Sequence, residues 1–120
     1  MVATQLLDLD IREGQGIIEQ LDAADIGPLA AFWFIDQGIE SWRLALVYPE
    51  YDEVGMTPVL KKIHAVIKPD SDLSMYGFTV LGLRNDLVKE VRSAFSKRNV
   101  TPDRPRHSYV RGGEVVVYRA

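Results

Sequence analysis

The sequence predicts an α/β (α+β) fold in which three helices pack on one mixed five-stranded sheet. Three observations indicate it: segments that alternate apolar and polar residues, segments whose apolar residues recur at helical spacing, and a glycine pair suited to a tight hairpin. The predicted order is α-β-β-α-β-α-β-β, in a two-layer or three-layer sandwich. At 120 residues, with no internal repeat and no linker composition, the chain suffices for one core, and we expect a single domain over residues 1–120.

The first helix is predicted from Asp10, whose spacing to Glu13 is that of a capping box, and it should end at Gly27. Gly14 and Gly16 each weaken a helix by up to about 1 kcal/mol relative to Ala. They therefore indicate either a frayed first turn or a place where the helix packs unusually close to something. The apolar stripe of this helix comprises Ile17, Ile18, Leu21 and Ala24.

Two strands are predicted next, over residues 31–36 and 41–48, joined as a hairpin. In the first strand Trp33 must point away from Phe32 and Phe34, because successive side chains of a strand lie on opposite faces. An aromatic face without helix cover would form an exposed apolar patch of the kind that marks protein interfaces. Because three helices are predicted for the two faces of the sheet, we expect helices to cover both faces. The second strand alternates, with Trp42, Leu44, Leu46 and Tyr48 on one side.

The middle of the chain is predicted as an acidic loop, a helix, a strand and a further helix. The loop covers residues 50–53, and the helix has Thr57 as its N-cap and Pro58 at its first position. The run 75–81 is apolar on both faces, which indicates a central strand covered on both sides. Asn85 is the predicted N-cap of the third helix.

The chain closes with a predicted hairpin. Residues 107–111 and 114–119 flank Gly112-Gly113, and such a pair tolerates the positive φ angles of a two-residue turn. With these glycines as the turn, Arg111 faces Glu114 and His107 faces Tyr118.

Three local patterns lie between Leu9 and Asp86: the run Ala31-Phe32-Trp33-Phe34, the run Trp42-Arg43-Leu44, and the spaced residues Pro49, Asp52 and Gly55 before a helix. Together they resemble a group of short bacterial proteins of unknown function that carry an aromatic hairpin of this pattern. The resemblance implies no activity, since none is assigned to that group.

Composition excludes several classes of chemistry. The chain has no cysteine, so disulfides, thiolate nucleophiles, iron–sulfur clusters and thiolate zinc sites are excluded. No apolar run approaches the length of a membrane span, and the first residues lack the pattern of a signal peptide, so a cytoplasmic location without membrane contact is expected.

The motifs of catalysis and cofactor binding are also missing. No phosphate loop, dinucleotide fingerprint or nucleophile elbow occurs. His64 has no histidine or carboxylate three or four residues further along its predicted helix, and His107 lies beside Tyr118 in the predicted hairpin. The carboxylates of residues 50–53 lack the spacing of a calcium loop. We assign no catalytic, metal-binding or cofactor-binding residue.

Charge is distributed unevenly along the chain. Residues 1–60 hold 11 acidic and 2 basic side chains, whereas residues 61–120 hold 6 acidic and 12 basic. The two poles can attract each other within one chain or between copies, or the fold can mix them into an ordinary surface. The basic C-terminal segment offers a candidate partner or nucleic-acid surface, made of Arg98, Arg104, Arg106, Tyr109 and Arg111.

Three hypotheses of function follow. The first is a non-enzymatic module that binds itself or a protein partner through a sheet edge or an aromatic face. The second is nucleic-acid binding by the basic segment, against which the low pI of 5.3 weighs. The third is a small ligand-binding protein or enzyme with a pocket at the carboxyl ends of the strands, where α/β sheets place ligands. Its candidate polar groups are Tyr48, Glu50, Asp52 and Arg84.

Overall fold

A computed structural model describes residues 8–36, 41–67, 78–95, 106–110 and 113–120. The helices are α1 (Asp8–Ala23), α2 (Tyr51–Val54), α3 (Met56–Val66) and α4 (Asp86–Phe95). The strands are β1 (Ala30–Asp36), β2 (Ser41–Val47), β3 (Phe78–Leu81), β4 (Arg106–Val110) and β5 (Gly113–Arg119).

The five strands form one mixed sheet in the order β3-β2-β1-β5-β4. Only the β2–β3 pair is parallel among the described pairings; β1 pairs antiparallel with β2 and β5, and β4 pairs antiparallel with β5. β2, β3 and β5 therefore run in one direction and end at the same edge of the sheet. The predicted fold class and element order are confirmed, with α2 as an additional one-turn helix.

Helices cover both faces of the sheet, so the sandwich has three layers. Ile18 of α1 and Ile63 of α3 pack on one face, together with Trp33. Val91 of α4 packs on the opposite face, with Phe32. The predicted alternation of the aromatic run is confirmed, and because both faces are covered, Trp33 and Phe32 are buried.

The predicted central position of the third strand is wrong. β3 lies at an edge of the sheet and pairs with β2 alone among the described strands. Val80 packs into the core under α1 and α3, whereas Leu81 packs against the core under α4. Apolar residues on both faces of a strand therefore indicate only that helices cover both faces of the sheet there. A strand at the edge of the sheet can be covered in this way as well as a central one.

The segment between β2 and α3 also differs from the prediction. Part of the predicted acidic loop forms α2, and α3 begins at Met56, before Thr57. Gly55 separates the two helices with φ +83°, a conformation that favours glycine. Pro58 falls in the first turn of α3, where its missing N–H removes no helical bond.

The C-terminal hairpin exists with a different register. Val110 pairs with Gly113, Tyr109 with Glu114 and His107 with Val116. Each residue of β4 therefore lies two positions from its predicted partner. Side chains repeat on a face every two residues, so both registers bury the same residues and the apolar pattern does not distinguish them. The predicted pairing of Arg111 falls outside the described residues.

Asn85 caps α4 as predicted. Its side-chain oxygen accepts hydrogen bonds from the N–H groups of Leu87 (2.9 Å) and Val88 (3.2 Å). These bonds satisfy two of the donors that a helix leaves free at its start.

Candidate functional site

A cleft of about 540 Å³ opens at the edge of the sheet where β2 and β5 end and β1 begins. This is the edge at which the sequence predicts a pocket. Its lining residues are Asp25, Ile26, Gly27, Pro28, Leu29, Tyr48, Pro49, Glu50, Lys62 and Arg119.

The end of α1 forms one wall of the cleft. The N–H of Ile26 donates to the carbonyl of Leu21, and the N–H of Asp25 donates to that of Asp22, a pair of bonds that closes a helix in a Schellman motif. Asp25 takes the left-handed conformation that the motif requires, with φ +63°. A residue that is not glycine is strained there, and its carboxylate lies at the negative end of the helix dipole.

Arg119 also lines the cleft and links β5 to α1. Its guanidinium donates two parallel bonds to the Asp22 carboxylate, 2.6 and 3.0 Å long, and a third to the carbonyl of Pro28. These hydrogen bonds hold the pKa of Asp22 below its usual range and raise the pKa of Arg119. Gly27 is required beside this pair, because a Cβ there would lie 1.8 Å from the Asp22 carboxylate.

Tyr48 lies in the floor of the cleft and is 3% exposed. Its hydroxyl donates a 2.7 Å hydrogen bond to the carbonyl of Ile26. Burial raises the pKa of Tyr48, and the carboxylates of Glu50 and Asp22 raise it further, so the phenol stays protonated. Tyr48 is therefore a fixed donor that ties the end of β2 to the end of α1.

Glu50 and Lys62 complete the polar lining. Their side chains form an ion pair, and both are partly exposed. The Lys62 ammonium also lies 5.6 Å from the centre of the Tyr48 ring, within range of a cation–π contact. Because Lys62 belongs to α3 and Glu50 precedes α2, the pair joins α3 to the start of α2.

Of the four predicted pocket residues, the structure brings Tyr48 and Glu50 together in the cleft. Asp52 is not among the lining residues of the cleft; its carboxylate accepts a 2.9 Å hydrogen bond from the N–H of Leu83. Arg84 is exposed and lies outside the lining.

Arg119 and Lys62 are lining residues that the sequence prediction missed. Arg119 follows a register shift in the β1–β5 pairing, since Phe32 pairs with Val117 but Ala31 pairs with Arg119. Such a shift in pairing changes the direction of the side chains beside it. It leaves no pattern of apolar residues in the sequence from which it could be predicted. The sequence does contain a signal for Lys62. It directly precedes Ile63, which lies on the buried stripe of the same helix, so Lys62 stands beside the face that packs on the sheet.

The outer edge of β4 is the second candidate surface. Among the described strands β4 pairs only with β5, and Tyr109 is 74% exposed. His107 and Arg106 are exposed as well. The sequence predicts a sheet edge as one possible interaction surface. Because β5 lies between β1 and β4, the outer edge of the C-terminal hairpin belongs to β4, its first strand.

The predicted basic surface is described in part. Arg106 and Tyr109 lie on β4, three residues apart, so their side chains leave opposite faces of the strand. The remaining three members, Arg98, Arg104 and Arg111, lie outside the described residues.

The described residues contain no group of three or more His, Cys, Asp or Glu side chains suited to a metal ion. His64 is exposed and contacts Phe78 edge to face, with ring centres 5.9 Å apart. Within the same residues no helix has the length and apolar content to cross a membrane.

Comparison with protein-family profiles, with curated proteins and with solved structures gives no match to this chain. The likeness to short bacterial proteins with an aromatic hairpin therefore stays a prediction.

Proposed function

We propose that this chain is a non-enzymatic interaction module that self-associates through the edge of β4. The observation that carries the proposal is that Tyr109, at 74% exposure, stands on a strand whose outer side is unpaired within the described part of the chain. An edge strand presents a row of backbone donors and acceptors that a second strand can use.

The hairpin register determines which backbone groups point outward. Hydrogen-bonded pairs alternate along an antiparallel ladder, and the pair that closes a two-residue loop is a bonded one. With Val110 and Gly113 as that pair, Ser108 and Arg106 also bond to β5. The N–H and C=O groups of His107 and Tyr109 are then directed to the open side.

This arrangement suits a second copy of the same strand. An antiparallel pairing centred on Ser108 places His107 of each copy opposite Tyr109 of the other. Both residues present outward backbone groups, so each such pair exchanges two hydrogen bonds, and the two pairs are related by a two-fold axis. His107 and Tyr109 also share a face of β4, so the rings of one copy lie beside those of the other.

Charge attraction between copies is the weaker alternative. The acidic first half and the basic second half meet within one chain, through the Asp22–Arg119 and Glu50–Lys62 pairs. These pairs use cations of the basic half that would otherwise attract a second molecule. A contact made by one five-residue strand is small, so we expect a weak, concentration-dependent dimer.

Sedimentation velocity over a range of protein concentrations tests the proposal. We expect the wild type to shift from monomer toward dimer as concentration rises, with little change between low and high salt, because backbone bonds carry the contact. Tyr109→Pro removes one outward N–H and leaves the bonds to β5 in place, so it should remain monomeric.

Two further variants separate the contribution of the Tyr109 ring to dimer formation from that of its backbone N–H. Tyr109→Ala loses the ring and keeps the N–H, so it should dimerise more weakly than the wild type and more strongly than Tyr109→Pro. Met56→Ala removes an exposed apolar side chain from α3 and should behave as the wild type. Circular dichroism verifies that each variant is folded. A wild type that stays monomeric at every concentration, or dimers that dissociate in salt, would overturn the proposal.

A further inference from the structure

We propose that the cleft between the end of α1, Tyr48 and Arg119 binds a small zwitterion of the α-amino-acid class, with an apolar side chain. The volume of about 540 Å³ lies within the usual range of small-ligand sites, roughly 300–1,000 Å³. This site is distinct from the β4 edge and does not depend on self-association.

The first argument is the balance of charge in the lining. Two cations, Lys62 and Arg119, and two carboxylates, Asp25 and Glu50, border the same cleft. Lys62 is already paired with Glu50, and Arg119 with Asp22, so a ligand with a single charge would add an uncompensated charge beside these neutral pairs. A ligand that carries a carboxylate and an ammonium group can satisfy both signs, and its own net charge is zero.

The second argument is the bonding capacity that the cations keep. The guanidinium of Arg119 has five N–H donors, and its bonds to Asp22 and Pro28 are made by Nη1 and Nη2. The Nε donor and one Nη2 donor are left for a ligand carboxylate. The Lys62 ammonium has three donors and bonds to one oxygen of Glu50.

The third argument concerns the acceptors. Asp25 is exposed at the cleft and keeps its left-handed conformation although glycine would be less strained there. Its carboxylate and the second oxygen of Glu50 can both accept hydrogen bonds from an ammonium group. The Schellman motif holds the Asp25 backbone, so this acceptor is in place before a ligand arrives.

The remaining lining is apolar and completes the match. Ile26, Pro28, Leu29 and Pro49 border the cleft, and Leu29 is 42% exposed although it is a large apolar residue. An aliphatic ligand side chain that covers Leu29 would remove this surface from water. The ligand class is therefore an amino acid with an aliphatic side chain.

The experiment is a titration of the full chain with leucine, followed by ¹H–¹⁵N correlation spectra. Two matched probes each keep one charge: 4-methylpentanoate has the carboxylate without the amine, and 3-methylbutylamine has the amine without the carboxylate. We expect leucine to shift the amide signals of Ile26, Gly27 and Leu29. Each probe should bind at least about tenfold more weakly, since each loses its charge-assisted hydrogen bonds at one end.

Variants with matched neighbours test the assignment of residues. Glu50→Gln and Lys62→Met should each weaken leucine binding by about tenfold. Glu53→Gln and Lys61→Met alter exposed residues of the same segment that lie outside the lining and should leave it unchanged. The spectra themselves report whether each variant is folded.

The proposal is overturned if millimolar leucine shifts no cleft amide, or if either probe with one charge binds as tightly as leucine. These two results are obtained on the wild type, so they decide the question even if a variant fails to fold. Leucine binding by the monomeric Tyr109→Pro variant would further separate this site from the β4 edge.

Discussion

Single residues of α1 show how the same substitution can have opposite effects two positions apart. A Cβ at Gly14 would lie 2.5 Å from the Tyr118 hydroxyl and 3.2 Å from the Trp33 indole nitrogen. That indole donates a 2.8 Å hydrogen bond to Tyr118, whose hydroxyl in turn donates to the carbonyl of Ile11. A Cβ at Gly16 would meet nothing within 4 Å.

We therefore predict that Gly14→Ala lowers the free energy of unfolding by about 1–3 kcal/mol, because the added methyl group overpacks a buried hydrogen-bonded contact. Gly16→Ala is the matched control and should raise it by up to about 1 kcal/mol, since Ala is the better helix former. Urea unfolding of both variants measures the difference. Equal effects of the two substitutions would contradict the packing explanation.

The ion pair of Asp22 predicts a dependence of stability on pH. Hydrogen bonds from Arg119 lower the pKa of Asp22 in the folded chain. The pair's contribution is therefore complete above the ordinary aspartate pKa of about 3.9 and is lost as pH falls through the lower folded value. Asp22→Asn should reduce the loss of stability on acidification below about pH 4. Thermal melts of this variant from neutral to acidic pH, with Glu53→Gln as an exposed control, measure the effect.

At the scale of elements, one carboxylate joins two connections that are distant in sequence. Asp52 of α2 accepts a hydrogen bond from the N–H of Leu83, in the turn between β3 and α4. Gly82 permits this approach, because a Cβ there would lie 2.2 Å from an Asp52 oxygen. The acidic segment after β2 is thus more than a solvated loop: Asp52 and Glu50 each have a defined partner, and the partners differ.

Asp52→Ala should lower the free energy of unfolding by about 1–3 kcal/mol, because it leaves a partly buried N–H without its acceptor. Asp52→Asn keeps an acceptor oxygen and should lose less. Glu53→Ala, at the exposed neighbouring position, provides the control for helix propensity. If Glu53→Ala and Asp52→Ala cost the same in chemical unfolding, the bond to Leu83 contributes nothing.

The elements that the sequence predicts correctly are those with a local signal. The helical stripe around Ile18, the alternation around Trp33 and the cap at Asn85 all arise from residues a few positions apart. The position of β3 has no such signal, because it depends on which distant strand pairs with it. The register of β4 has none, because both registers of the hairpin bury the same residues. Local pattern establishes what an element is and which face it buries, whereas its neighbours are determined by the assembled sheet.

The candidate site follows the same rule. The edge of the sheet that holds the cleft could be predicted, because strands that run in one direction end there. Two of the lining side chains, Tyr48 and Glu50, could be predicted from their position at the end of β2. Arg119 could not be predicted, since it reaches the cleft through a shift in register. Asp52 was assigned to the pocket by its position in the chain, but its carboxylate is held by a backbone group on another connection.

For the whole molecule, folding brings charges of the acidic first half and the basic second half together in two ion pairs. Asp22 and Glu50 belong to the acidic half, and their partners Arg119 and Lys62 belong to the basic half. Both pairs lie at the cleft, so the two halves meet at the site proposed for a ligand that itself carries both signs.

The place of β1 at the centre of the sheet has a consequence for how the molecule is assembled. One side of β1 is completed early, by the adjacent strand β2, but the other must wait for β5, about eighty residues downstream. Until β5 is synthesised and pairs with β1, one side of β1, the most aromatic segment of the chain, has no neighbouring strand. Chain elongation thus passes through a long interval in which a nascent molecule is most prone to pair with the wrong neighbour.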